Sequence, residues 1–494
     1  MSLLRSVAEN LFCQHPVMSQ STRRHFLAKN AFGISSLGLA SVMRSENLFA
    51  APEKPSFEKT IHDLLSKPAL ASPKADAMIS IFCGGGPSHI DLFDPKPELK
   101  KWDGKQIPPR DIKYDNAGQA SSVVMASPWE FEKCGQSGIE LNTALLPELG
   151  GIADEITLVR SMHLPEIRNH GAGMRALTSG RGLAGHPSLG SWITYGLGAE
   201  SQNLPAFVAI VLRKNPPGSP YWDSRHLPSI YQGTIMRETE PRIANLRPPK
   251  HLQGAAQKNQ LDLLDSLNRE HLANRPGEDD LAARISSYQL AARMQTEASD
   301  ALDLTKESAA TRALYGVDDT ATKQMGEACL LARRLVERGV RFVQIWDYAW
   351  DMHQELEKNL PIRCAGTDKP SAGLVKDLKA RGLLDSTIVQ WGGEMGRLPV
   401  IQDRGKGLAP GRDHNTEGFS IWMAGGGVKK GHVHGATDEF GHRAIEGVVT
   451  QHDFHATLLH QFGLDADSLN FEAGGEKVAL VEPGQGEVVD GILG

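Results

Sequence analysis

Cysteine is scarce in this chain of 494 residues: Cys13, Cys83, Cys134, Cys329 and Cys364 are widely scattered, with no C-x-x-C spacing. That pattern excludes a disulfide framework and gives no zinc knuckle or redox pair. Low-complexity tracts and internal repeats are missing too. No apolar run comes near the roughly 20 residues of a membrane-crossing helix. Neither sign of charge dominates: 53 Lys and Arg stand against 59 Asp and Glu, a net charge of -6. No basic field therefore points to nucleic acid. What remains is ordinary globular composition, 40% hydrophobic and 23% charged, which argues against disordered, fibrous and polytopic membrane classes. At about 100–200 residues per domain, the length allows two or three domains or one large α/β domain.

The first 50 residues stand apart. Arg23-Arg24-His25-Phe26-Leu27 precedes a mildly apolar, Gly/Ser/Ala-containing stretch from Ala31 to Met43. Arginine pair, Phe-Leu and apolar run in this order resemble a twin-arginine export signal. The alternative is an amphipathic N-terminal helix with a chance arginine pair. Residues 1–50 hold five Lys and Arg and two Glu, so a chain cleaved near Ala50 or Ala51 would carry about -9. The expected product, residues 51–494, is periplasmic or extracellular and has no transmembrane segment. Since this route exports folded proteins, often with a cofactor already loaded, the signal leans towards a cofactor or metal.

After a Pro/Lys-rich entry, Ala77–Cys83 reads as a buried strand that ends in the flexible Gly84-Gly85-Gly86-Pro87 loop. Ile156–Val159, Ala206–Leu212, Arg341–Trp346, Thr387–Trp391 and Phe419–Met423 are further short apolar strands. Helical spacing marks Gln260–Leu272, Asp279–Ala298, Lys323–Arg338 and Ser371–Leu384. Repeated helix-then-strand units predict one α/β domain with a largely parallel sheet sandwiched between helices. A Pro-, Arg- and aromatic-rich stretch at about 215–250 reads as a surface excursion or lid.

In such sheets ligands bind beyond the carboxyl ends of the strands. His89 and Asp91 follow the first strand, Asp351 and His353 follow Trp346, and Glu394 and Arg397 follow Trp391. Asp413 and His414 precede Phe419. Mixed imidazole and carboxylate donors suit zinc, manganese or iron and could bridge two ions. The bland alternatives are loop hydrogen bonds and a Glu394–Arg397 ion pair. Asn169 and His170 open a short helix ending at Gly180, either as an anion-binding N-terminus or as a capped packing helix. Thr450 and Asp453 form a capping pattern for a helix from His452 to Phe462, on which His455 and His460 read as packing or surface residues. His432 and His434 flank glycines in a turn.

Together these motifs resemble the bacterial family of domain of unknown function 1501 (DUF1501). The matching pieces are Arg23-Arg24, Gly85 through Pro97, Trp350-Asp351-Met352-His353, Gly393-Glu394-Met395-Gly396-Arg397, Gly411-Arg412-Asp413-His414, Gly425-Gly426-Gly427 and Gly435-Ala436-Thr437-Asp438. The family looks like a branch of the alkaline phosphatase and sulfatase superfamily, which implies that fold and metal-dependent hydrolysis of phosphate or sulfate esters. Carried over by motif, Asp351, His353 and His414 would hold one ion, with Asp413 as ligand or support. Asp91, with His89, and Glu394 would hold a second. Met395 stands where the superfamily has histidine, which leaves that second site poorer in ligands. Pro165-Glu166-Ile167-Arg168 offers no hydroxyl or thiol nucleophile, and Ser161 lies too early.

The sequence therefore predicts an exported hydrolase with one or two divalent ions (zinc, manganese, iron or calcium), acting on anionic esters such as those carried on polysaccharides. Asn169, His170 and Arg397 would bind the anionic group. The alternative is a non-catalytic periplasmic binding or scaffold protein that retains the fold.

Overall fold

A computed structural model describes residues 63–112, 121–212, 219–275 (apart from 245, 248, 250 and 252), 279–402 and 407–494. The expected export signal and its cleavage site lie outside the described residues. These residues fall in one compact unit, Thr60–Gly494. Its main strands are β1 (Ala77–Gly84), β2 (Ile156–His163), β3 (Phe207–Val211), β4 (Thr234–Arg237), β5 (Phe342–Tyr348), β6 (Thr387–Gly392), β7 (Gly396–Gln402), β8 (Gly411–Asn415), β9 (Phe419–Ala424), β10 (His432–His434) and β11 (Val449–Thr450). The longer helices are α1 (His170–Ser179), α2 (Leu189–Leu197), α3 (Ala255–Ala273), α4 (Asp279–Leu302), α5 (Lys323–Val336), α6 (Leu356–Ala380) and α7 (Gln451–Gln461).

Nine strands form one sheet in the order β10-β2-β9-β6-β1-β5-β3-β4, with β11 also pairing with β2. Every pairing is parallel except those of β9, which runs against β2 and β6. β1, β3, β6 and β9 are buried at every position, so both faces of the central sheet are covered. The architecture is thus α/β, a largely parallel sheet between helices. Among the described residues no helix is long and apolar enough to cross a membrane.

Two expectations need correction. The helix expected at Ser371–Leu384 begins at Leu356 and runs through Pro361 and Pro370. Proline removes a donor and disfavours helix before it, yet burial of Leu360, Cys364, Leu374, Val375 and Leu378 outweighs that cost. The stretch at about 215–250 is not wholly a surface excursion. It supplies edge strand β4 and buries Trp222, Tyr231 and Met236. Gly411–Asn415, which precedes Phe419, forms strand β8, paired antiparallel with β7. The capping pattern at Thr450 is a full capping box on α7, where buried His455 bonds to the carbonyl of Leu177 at 2.9 Å.

At the carboxyl end of β5, Asp347 accepts a hydrogen bond from Trp350 Nε1 at 2.9 Å. Burial pushes its carboxyl up to about 6. A raised carboxyl value means that the folded chain binds this proton more tightly than the unfolded one. Stability is therefore lost as pH climbs from about 4 through 6. We expect Asp347→Asn, which keeps an acceptor for Trp350, to be more stable than the parent at pH 8 by on the order of 2 kcal/mol. The two should be equal near pH 4. Denaturant unfolding at both pH values checks this, and a difference independent of pH would contradict it.

Candidate metal centre

Four loops meet at the carboxyl end of the sheet. The loop after β2 leads into α1, whose N-cap Asn169 accepts the amide hydrogen of Ala172 at 2.9 Å and fixes His170 in the first turn. The loop after β5 carries Asp351 and His353 and is flanked by Ala349 and Glu355, both in left-handed backbone (φ 94° and 55°). The β7–β8 hairpin brings in His414. Its pairing shifts register between Arg412 and His414, an irregularity of the kind that re-aims side chains. The loop after β1 closes the site. Gly85 has φ 113°, and a Cβ there would lie 2.4 Å from the backbone nitrogen of Asp351. Only glycine lets these two loops touch.

His170, Asp351, His353 and His414 form one group whose ligand atoms lie within 4.8 Å of one another. Asp351 Oδ1 is 3.1 Å from His170 Nε2, 2.8 Å from His353 Nε2 and 3.5 Å from His414 Nε2. The Nε2 atoms of His353 and His414 are 3.0 Å apart. Each ring is held from behind through Nδ1: His170 by Glu394 Oε1 at 2.7 Å, His414 by the Arg168 carbonyl at 3.0 Å, and His353 by Gln402 Oε1. A carbonyl can only accept, so His414 carries its proton on Nδ1 and presents a lone pair at Nε2. Anchoring the far nitrogen in this way is how proteins orient imidazole ligands. The four side chains could hold one divalent ion.

The electrostatics agree with that donor set. Burial opposes protonation of His170, but hydrogen bonds to Asp351 and Glu394 and their charges outweigh it and raise the imidazole to about 9. Burial likewise works against the Asp351 charge, yet hydrogen bonds from His170 and His353 and the charge of Arg397 hold its carboxyl well below the usual range. Burial lowers His414, beside Arg397 and the other two rings. Asp351 is the open side, 41% exposed, whereas His414 is only 4% exposed.

The remaining predicted site residues fall elsewhere. His89 is fully buried with both ring nitrogens engaged, Nε2 by the Gly441 carbonyl at 2.7 Å and Nδ1 by the Arg397 amide at 3.4 Å. Asp91 is fully buried and bound twice by Arg412, at 2.9 and 3.1 Å, and by Ser88 Oγ at 2.5 Å. Neither joins the cluster. Glu394 stands behind it, holding His170 and accepting from the Gly85 amide at 3.0 Å. Asp413 also backs it, with Oδ1 3.7 Å from His353 Nδ1 and accepting the His414 amide at 2.9 Å. Arg397, expected to bind the anionic group, is buried instead. It is 1% exposed and spends its donors on Asp351 Oδ1 (2.7 Å) and the carbonyls of Gly85, Gly86, Trp350 and Arg412. The Asn169 side-chain oxygen is used as a cap. His170, expected to contact an anion, sits among the candidate metal donors instead. Arg412 stood in the sequence only inside the Gly411-Arg412-Asp413-His414 motif, with no role of its own, and Gln402, at the end of an apolar run, carried no signal.

This geometry defines an α/β protein with a cluster of three histidines and one carboxylate at the carboxyl edge of its sheet. The chain belongs to the family described as "Protein of unknown function (DUF1501)", whose profile matches residues 75–493. No curated protein matches its sequence. Among solved structures it is similar to a sulfatase from Pseudoalteromonas sp. (13% identity, 79% of this chain and 68% of that one, TM-score 0.35). It is also similar to a phosphonate monoester hydrolase from Silicibacter pomeroyi (10% identity, 64% and 68%, TM-score 0.30). A third likeness is to alkaline phosphatase from the Antarctic bacterium TAB5 (9% identity, 72% and 92%, TM-score 0.27).

Glu394→Gln keeps an acceptor for Gly85 but removes the charge behind His170. Zinc affinity, measured by competition with a chelating dye, should fall about tenfold with the fold intact. Unchanged affinity would mean that His170 is not a ligand.

Proposed function

We propose that this chain is an exported, metal-dependent hydrolase of phosphate or sulfate esters. The observation that carries the reading is the convergence of three imidazole Nε2 atoms on the single, solvent-facing carboxylate of Asp351. His170, Asp351, His353 and His414 would hold the ion. A divalent cation bound there supplies Lewis acidity and brings the pKa of bound water towards neutrality.

The chain's own groups set the rest of the chemistry. Glu394, Gln402 and the Arg168 carbonyl hold the rings in position. Arg397 pairs with Asp351 at 2.7 Å and holds it turned towards the histidines. Arg175 on α1 is the better candidate for the anionic group. Its Nε bonds to the Gly182 carbonyl at 2.8 Å, and among the described residues its guanidinium makes no ion pair. Arg168 and Arg181, by contrast, are paired with Glu417 and Glu482.

One observation favours the second reading, a non-catalytic binding or scaffold protein. Two hydroxyls near the ligands in sequence are committed, Ser161 to the Gly447 carbonyl and Thr416 to that of Ile167. His353→Ala separates the readings. For a hydrolase it should lower turnover of aryl phosphate or sulfate esters by at least about 100-fold and reduce bound metal, with the circular dichroism spectrum unchanged. A parent protein that holds metal yet turns over no ester across both classes would favour the scaffold.

A further inference from the structure

Not every buried carboxylate at this end of the sheet meets a histidine. Asp91, on the short helix after β1, meets Arg412 of β8, and both side chains are 0% exposed. The contact is bidentate, and Arg412 Nη1 donates further to the carbonyls of Met125 (2.9 Å) and Leu398 (3.4 Å). Arg397 of β7 repeats the arrangement on the other carboxylate, reaching Asp351 Oδ1 at 2.7 Å with its remaining donors on backbone carbonyls. One two-stranded hairpin thus delivers two permanent cations into the loops after β1 and β5.

We infer that Arg412 takes the place of a second metal ion, so that the site proposed above is mononuclear. This rests on that reading of the His170, Asp351, His353 and His414 cluster. The residues that would form a second site do not fit one. Asp91 already has its full charge complement from the bidentate Arg412 guanidinium. Bringing a metal to Asp91 would place two cations on one buried carboxylate or leave Arg412 uncompensated in the interior, which is strongly unfavourable. His89 has no free ring nitrogen, and Glu394 is committed to Gly85 and His170. Met395, buried against Gly86, adds no hard donor.

The test is the zinc stoichiometry of the full chain, by calorimetric titration and elemental analysis, for the parent and for Asp91→Asn/Arg412→Met. The double change removes both charges together, which buried ion pairs tolerate better than loss of one partner. We expect one equivalent in each protein, with affinities within about threefold. Two equivalents in the parent would overturn the inference and leave the cluster standing. One equivalent in the parent but none in a folded variant would also overturn it, by making Asp91 a ligand. No zinc in the parent would overturn both the inference and the metal centre beneath it. If the variant fails to fold, one equivalent against two in the parent decides the matter.

Discussion

The Arg397 guanidinium is the fastening on which the site depends. From β7 it reaches the carbonyls of Gly85 and Gly86 after β1, of Trp350 after β5 and of Arg412 on β8, and it pairs with Asp351. A buried cation persists only where every donor is met. Those same bonds therefore fix three segments that are remote in sequence. Gly85 makes the closest approach feasible, and the left-handed residues Ala349 and Glu355 show how sharply the ligand loop is turned to meet it. Strain of this kind collects where surrounding structure over-determines a loop.

The charges around that fastening are unequal. Asp91 and Arg412 cancel, leaving Asp351, Glu394 and Asp413 against Arg397 alone. In a poorly solvated pocket such an excess of negative charge draws a cation. Without one, His170 meets part of the demand by keeping its proton between Asp351 and Glu394. Proton and metal thus compete for the same place, and metal affinity is coupled to proton release.

Much of the fold was legible because strands buried on both faces are continuous apolar runs. Ala77–Cys83, Arg341–Trp346, Thr387–Trp391 and Phe419–Met423 each lie within a residue or so of an observed strand. Asp351, His353 and His414 could be singled out because they flank such strands. The hairpin was not legible: Gly411 to Asn415 is polar in composition, and its Arg412 meets Asp91, 321 positions away. No local pattern reports a pairing that distant. For the same reason Arg397 resembled a ligand-binding arginine until its carbonyl partners were seen. His170 was read by its helix position, and only the tertiary fold puts its Nε2 beside Asp351.

The most direct test is anomalous diffraction at the zinc edge from a crystal of the zinc-loaded protein. The account predicts a single strong peak about 2.0–2.2 Å from the Nε2 atoms of His170, His353 and His414 and from an Asp351 oxygen. No peak there, or one seated on Asp91 and His89, would contradict it.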